Sequence, residues 1–259
     1  MTDVARAAVQ LRTDLKLFWR EPADWFFTAL LPVIFLVLFT AIFGNERVDE
    51  LGGIRAAQLQ VPGFIALSIV SASFVSLAIS LVVKRERGTL KRTRATPVPA
   101  WVVLAGLIGK CVVVGLIVTV VLMLIGGLVY DVSLPLGHLP GLVLALVLGS
   151  AAFCCLGVGF TSLIGSEDAA PAMTNAVTLP VFFISGVFVP EQQLPDWLAR
   201  VGDVLPIKPL ADALVAAFDP RVGGAGIKPG ELAILAAWGV AGLALAIATF
   251  RWMPRGERD

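Results

Sequence analysis

Six long apolar runs govern what this chain can fold into. They cover about 23–44, 61–83, 105–130, 140–164, 169–189 and 231–252. A helix needs about 20 mostly apolar residues to cross some 30 Å of hydrocarbon. A single span can satisfy its own backbone there only as a helix. The first run lies between Arg20-Glu21-Pro22 and Asn45-Glu46-Arg47, and the second stops abruptly at Lys84-Arg85-Glu86-Arg87. The fifth holds Pro171 and Pro180, and the sixth ends near Arg251, Pro254 and Arg255. Of 259 residues, 58% are hydrophobic and 15% charged, with a mean hydropathy of +0.89. Soluble domains carry about 25% charged residues. The expected fold is therefore an all-α membrane protein with six transmembrane helices.

Loop charge sets the expected orientation. Lys and Arg concentrate in cytoplasmic loops. Arg6, Arg12, Lys16 and Arg20 precede the first run. Lys84, Arg85, Arg87, Lys91, Arg92 and Arg94 follow the second, and Arg251, Arg255 and Arg258 close the chain. These thirteen face six on the other side: Arg47, Arg55, Arg200, Lys208, Arg221 and Lys228. Both termini are expected in the cytoplasm, with the chain multi-pass in a bacterial cytoplasmic membrane. A net charge of +1 gives no global signal for nucleic acid.

Residues 1–22 read as a separate amphipathic unit ahead of a transmembrane domain over 23–259. Val4, Ala8, Leu11, Leu15 and Phe18 form one helical stripe, with the four basic residues largely off it. It is expected to be an interfacial helix lying in the headgroup plane on the cytoplasmic face, the alternative being a helix packed on protein. The first apolar run is too long for a cleavable signal core. Trp25 fits an interfacial belt.

The loop Lys84–Ala100 is short and basic. Gly88 can break or cap a helix, and Pro97 and Pro99 favour extended backbone. It reads as an anchor for anionic lipid or as a docking surface for a cytoplasmic partner. Lys110 is expected at the cytoplasmic end of the third span, as an interfacial anchor whose stem snorkels. The alternative is a buried functional charge, at a cost of ~2.5–3.5 kcal/mol at the bilayer centre. Cys111–Tyr130 suffices to cross in either case. Between spans five and six, Leu194, Trp197, Leu198 and Val201 share a helical face and 209–218 is helix-compatible. Both are too short to cross and read as re-entrant or interfacial helices capping the outer face.

Catalytic and nucleotide motifs are missing. Gly106-Leu107-Ile108-Gly109-Lys110-Cys111 has the wrong glycine spacing for a P-loop, and Cys replaces the Ser/Thr. There is no HExxH and no GxSxG. His138 is the sole histidine, too few for a His-based zinc site. Cys111, Cys154 and Cys155 read as small buried hydrophobes. The adjacent Glu167 and Asp168 read as a solvated turn. Inside the spans only mild polar groups occur: Ser68, Ser71, Ser73, Ser76 and Ser80 in the second, and Thr174, Asn175, Thr178 and Ser185 in the fifth, near Phe182 and Phe183. They serve as interhelical glue or line a substrate path. No buried charge relay suggests proton coupling, so an amphiphilic substrate moved by an external energy source fits better.

Four segments carry a family resemblance: Trp19-Arg20-Glu21-Pro22; Lys84-Arg85-Glu86-Arg87-Gly88-Thr89-Leu90-Lys91-Arg92 with Ala95-Thr96-Pro97; Gly109-Lys110; and Phe183-Ile184-Ser185-Gly186-Val187-Phe188-Val189-Pro190 with Leu194-Pro195-Asp196-Trp197-Leu198. Together they resemble the ABC-2 type permeases, membrane subunits of bacterial drug, antibiotic, lipid and polysaccharide exporters. Lys91-Arg92 departs from the acidic-then-apolar pair frequent in relatives. The resemblance implies a dimer of permease chains and two copies of a separate cytoplasmic ABC ATPase, which holds the ATP and magnesium. This chain then binds no cofactor and no metal and is not itself an enzyme. ATPase coupling would fall to Glu86, Arg87, Gly88, Thr89 and Arg92, with Glu167 and Asp168 as the second, shorter cytoplasmic turn. The substrate path would run between spans two and five, past Ser71, Ser73, Phe74, Ser76, Asn175, Thr178, Phe182 and Ser185. The abundance of Phe over Tyr, 15 to 1, tilts the cargo toward apolar or amphiphilic molecules rather than glycans. A polysaccharide or lipid-linked glycan exporter is the alternative within the fold. A membrane enzyme lacks its cluster of titratable groups here, and a channel lacks its charged ring.

Overall fold

The computed structural model describes residues 3–43, 47–48, 54–94, 99–188, 194–219 and 221–249. Pro97, Val189-Pro190 and the basic C-terminal residues Arg251, Arg255 and Arg258 lie outside these. Helix α1 (Asp3–Arg20) leads to a short α2 (Pro22–Trp25), a π turn over Phe26–Leu30, and α3 (Leu31–Phe43). A minimal antiparallel ribbon, β1 (Arg47–Val48) with β2 (Ile54–Arg55), pairs Arg47 with Arg55 and Val48 with Ile54. Span two is α4 (Ala56–Val70), a π segment over Ser71–Ser76, and α5 (Leu77–Glu86). Then come α6 (Thr89–Arg94), α7 (Ala100–Tyr130), α8 (Leu139–Phe160), α9 (Ala169–Ile184), α10 (Asp196–Val204), α11 (Ile207–Phe218) and α12 (Pro229–Thr249).

The sequence places most of the ends. Pro22 opens α2, Pro99 holds extended backbone before α7, and Pro140 lies in the first turn of α8, where its missing N–H has no helical partner to lose. Asp131 ends α7 in the left-handed conformation at φ 58°, a C-terminal cap that short polar side chains tolerate. Its carboxylate also pairs with Arg55 at 2.8 Å, tying the ribbon to the end of α7. Gly88, at φ 69°, separates α5 from α6.

Among the described residues, five helical segments are long and apolar enough to cross a bilayer: Pro22–Ile42, Ala57–Glu86, Ala105–Tyr130, Leu136–Phe160 and Pro229–Thr249. The fifth predicted span is shorter than expected. Its helix covers Ala169–Ile184, 16 residues, or about 24 Å at 1.5 Å per residue. The cause is local. Gly186 turns the chain at φ 76°, and Val187 folds back against Gly63 of span two, where an added Cβ would lie 3.2 Å from Val187 Cγ1.

Span two is the central helix. Over its most apolar stretch 78% of its residues are buried, against 22% in the first and last spans. Those outer spans present Val37, Ile42, Val240 and Ile247 as exposed apolar side chains, the surface that a bilayer solvates. Close packing comes from small residues. At Gly242 of α12 an added Cβ would lie 2.7 Å from the Leu156 backbone of α8. Helix α11 is buried along most of its length and lies between α4, α8 and α12.

Candidate functional site

The basic end of the molecule is built from segments far apart in sequence. Arg85, at the last turn of α5, is almost wholly buried. Its Nη1 donates to Thr161 O at 2.9 Å, its Nη2 to Ile164 O at 2.8 Å, and its Nε to Glu86 Oε1 at 2.9 Å. Thr161 and Ile164 carry carbonyls at the C-terminal end of α8, where a cation also complements the helix dipole. Two residues on, Arg87 forks onto Glu167: Nη2 to Oε1 at 2.9 Å and Nε to Oε2 at 3.2 Å. That bond holds the Glu167 carboxyl below its ordinary range and raises Arg87. So the end of span two is fastened to the turn between α8 and α9 by one buried and one exposed arginine. Thr89 is exposed at the start of α6, and Arg92 lies in the same helix. Asp168 stands at the N-terminal boundary of α9, and no side-chain cap bond forms there.

Helix α1 joins this assembly from the other side. Lys84 Nζ pairs with Asp14 Oδ1 at 3.1 Å, and Gln10 Nε2 donates to Asp14 Oδ2 at 2.9 Å. Asp14 is buried. Sequence reading missed it, although the signal was there. Leu11, Asp14 and Phe18 fall at i, i+3 and i+7, so Asp14 interrupts the apolar stripe itself. The other missed groups, Arg85 as a clamp and its acceptors Thr161 and Ile164, leave no signal of that kind, because the acceptors are backbone carbonyls.

Helix α1 packs along α7, with Val9, Leu17 and Trp19 left exposed on its other sides. Glycines make the seat. An added Cβ at Gly106 would lie 2.6 Å from Gln10 Cγ, and one at Gly109 would touch Leu11 Cδ1 at 3.4 Å. This corrects the expectation for Lys110. Instead of reaching solvent as an anchor, it is buried at 5% exposure. Its Nζ lies 5.5 Å from the Phe18 ring centroid and 3.5 Å from Ser76 Oγ. Helix α7 begins at Ala100, ten residues earlier, and α1 closes over the position.

The π segment contains Ser71, Ser73, Phe74 and Ser76. Such segments arise as local insertions in α-helices and are frequent at functional sites. Ser73 and Ser76 are buried within the protomer, and Ser71 is half-buried. Phe74 packs on Phe160 at 5.2 Å between centroids. Gly157 of α8 permits this approach: an added Cβ would lie 3.1 Å from Ser73 O.

On α9 the polar side chains bond to their own helix. Thr178 donates to Thr174 O at 2.7 Å, Asn175 Nδ2 to Pro171 O at 2.9 Å, and Ser185 to Val181 O. This local back-bonding satisfies them without a neighbouring helix. Asn175 and Phe183 are exposed, while Thr178 and Phe182 are buried. The structure therefore leaves Asn175 on an outer face and turns Ser73, Ser76 and Thr178 inward. At the opposite end from the basic cluster, Phe188 gathers an aromatic group. Its ring lies 5.4 Å from Phe183, 5.7 Å from Phe182, 5.8 Å from Phe35 and 6.3 Å from Phe64.

A family model described as ABC-2 type transporter matches residues 8–218. The chain belongs to the ABC-2 type transporter family. The matched region reaches from α1 to the end of α11 and so includes both fastened turns. Among similar proteins, the inner membrane transport permease YadH of Escherichia coli is 26% identical over 186 residues, covering 71% of this chain and 72% of that protein. The daunorubicin resistance ABC transporter permease protein DrrB1 of Streptomyces coeruleorubidus is 29% identical over 219 residues, covering 82% and 74%. Membership of this permease family and several long apolar helices make the chain a membrane-embedded transport component. Permeases of this family work with an ATPase subunit.

Proposed function

We propose that this chain is the transmembrane permease subunit of an ABC exporter that moves a hydrophobic or amphiphilic substrate, such as a drug, antibiotic or lipid, out across the cytoplasmic membrane. A separate cytoplasmic ATPase, two copies per permease dimer, supplies the energy. In this reading the chain crosses six times with both termini inside, and α9 is the short fifth span. Its 24 Å or so is extended by the folded-back segment Ser185–Phe188, and α10 and α11 cap the outer side.

The observation that carries the reading is the double fastening of Arg85 to Thr161 and Ile164 and of Arg87 to Glu167. A push on Glu86–Arg92 is then delivered at once to span two and to the α8–α9 turn, which is what a docking element without its own nucleotide machinery requires. The exposed face of α9 with Asn175 and Phe183, on a helix that packs against the π segment holding Ser71, supplies the substrate surface between protomers. Ser73, Ser76 and Thr178 shape the helix from within. The drug-resistance designation of DrrB1 supports an amphiphilic cargo.

The direct test is purification in mild detergent followed by mass spectrometry of co-purifying subunits. An ABC ATPase recovered in one-to-one ratio with the chain supports the proposal. A pure chain that hydrolyses ATP by itself, or chain ends tagged on opposite faces of the membrane, overturns it.

A further inference from the structure

Two cations are buried among the described residues, Arg85 and Lys110. Arg85 spends its guanidinium on two carbonyls and a carboxylate. Lys110 has nothing comparable. Its ammonium carries three donors, yet its one hydrogen-bond partner among the described residues is Ser76 Oγ, at a long 3.5 Å. The Phe18 ring stands 5.5 Å away, a favourable but weak contact for a cation. Its ion-pair neighbours are no help. Asp14 is taken by Lys84, and no carboxylate pairs with Lys110 among the described residues. Buried charges are paired as a rule, and an unpaired one is costly.

We infer that Lys110 receives the anionic headgroup, phosphate or carboxylate, of an amphiphile, with Ser76 as a neutral donor beside it. The depth selects the ligand class. Lys110 lies ten residues, or about 15 Å, along α7 from Ala100, inside the apolar segment that begins at Ala105. A free ion would leave water entirely to reach it, whereas an amphiphile arrives with its tail already in the bilayer. The cover is α1. It rests on Gly106 and Gly109 through its Gln10 and Leu11 side chains and places Phe18 beside the ammonium, so the headgroup enters along the α1–α7 seam. The inference deepens the exporter reading by naming a charge on the substrate or on a resident lipid. Its test reads binding alone, so failure would leave the transport reading standing, and loss of ATP-driven transport in sealed proteoliposomes holding the chain with its ATPase would count against that reading and not this one.

Wild type, Lys110→Gln, Lys110→Arg and Lys110→Met are reconstituted in phosphatidylcholine nanodiscs and challenged with phosphatidylglycerol, oleate, diacylglycerol or inorganic phosphate. Thermal unfolding and native mass spectrometry are the readouts. Wild type and Lys110→Arg are expected to gain several degrees with phosphatidylglycerol or oleate and to retain one anionic amphiphile more per chain than Lys110→Gln. Diacylglycerol and inorganic phosphate are expected to do neither. A response to phosphatidylglycerol alone places a resident lipid in the site, and a response to oleate places a cargo-like carboxylate there. Equal responses in wild type and Lys110→Gln, or a full response to inorganic phosphate, overturn the assignment. Lys110→Met is expected to be at least as stable as wild type in pure phosphatidylcholine. A marked loss there would mean that the protein itself satisfies the ammonium, and would also overturn it.

Discussion

Arg87 and Glu167, 80 residues apart in sequence, meet in a two-bonded fork at 2.9 and 3.2 Å. The arginine ends span two and the glutamate sits in the turn before α9. Because both side chains lie at the surface, water screens the pair, and its value for stability is small. Its value is geometric: the fork gives the planar guanidinium one orientation. Arg87→Ala and Glu167→Ala are each expected to leave membrane abundance near wild type while lowering ATP-dependent export several-fold. The reversal Arg87→Glu with Glu167→Arg should recover part of that loss. Transport in vesicles, normalised to inserted protein, measures it; full activity in both single variants would remove the pair from coupling.

The same fork predicts a pH dependence. Arg87 depresses the Glu167 pKa from its usual 4.5. A carboxyl depressed in the folded state stabilises above its unfolded pKa and loses that contribution as pH falls through the folded value. The stability difference between wild type and Glu167→Gln should therefore be constant from neutrality down to about 4.5 and shrink below it. Unfolding curves across that range, read as the difference between the two proteins, test the sign.

Arg85 predicts a stability defect instead. Arg85→Met removes charge-assisted bonds to two buried carbonyls and leaves Thr161 O and Ile164 O without that donor. The expected cost is about 3 kcal/mol, seen as lower abundance and a lower Tm in detergent, with Arg85→Lys intermediate. A variant as stable as wild type would mean that α8 caps its own end.

The buried Asp14–Lys84 pair should behave as a coupled unit. Asp14→Leu leaves Lys84 facing an apolar seat and is expected to loosen α1, at a cost of roughly 2 kcal/mol, with faster proteolysis near Arg12 and Lys16. Asp14→Leu with Lys84→Met should cost less than the sum of the single changes. Additive losses would show that the two side chains do not act together.

Gln58 fastens the opposite end. Its Nε2 donates to Phe218 O at 2.7 Å and Ser133 O at 3.1 Å, and its Oε1 accepts from Ser133 N at 2.8 Å. Gln58→Leu preserves bulk but orphans these groups, at a cost of about 2–3 kcal/mol. Hydrogen exchange should rise in α11 and in the segment after α7 while the α5–α8 junction stays protected.

The amino-acid sequence by itself determined the solvent, the helical class and the family. Runs of apolar residues near 23–44 and 140–164 are local quantities, and the cost of unpaired backbone in lipid converts each directly into a helix. The basic cluster after Val83 and the glycine at 88 were legible for the same reason. What tertiary structure decided was every pairing across distance. Lys84 with Asp14, Arg85 with Thr161 and Ile164, and Gln58 with Phe218 join residues 70 to 160 positions apart, and no local pattern encodes which helix ends meet. Lys110 shows the difference most clearly. Position in the sequence suggested a snorkelling anchor, but the seat that Gly106 and Gly109 offer to α1 lets a neighbouring helix close over the charge, and burial is a property of packing. The fifth span came out short for the same reason: Gly186 allows a turn, but only the contact of Val187 with Gly63 and of Phe188 with Phe64 holds the chain folded back.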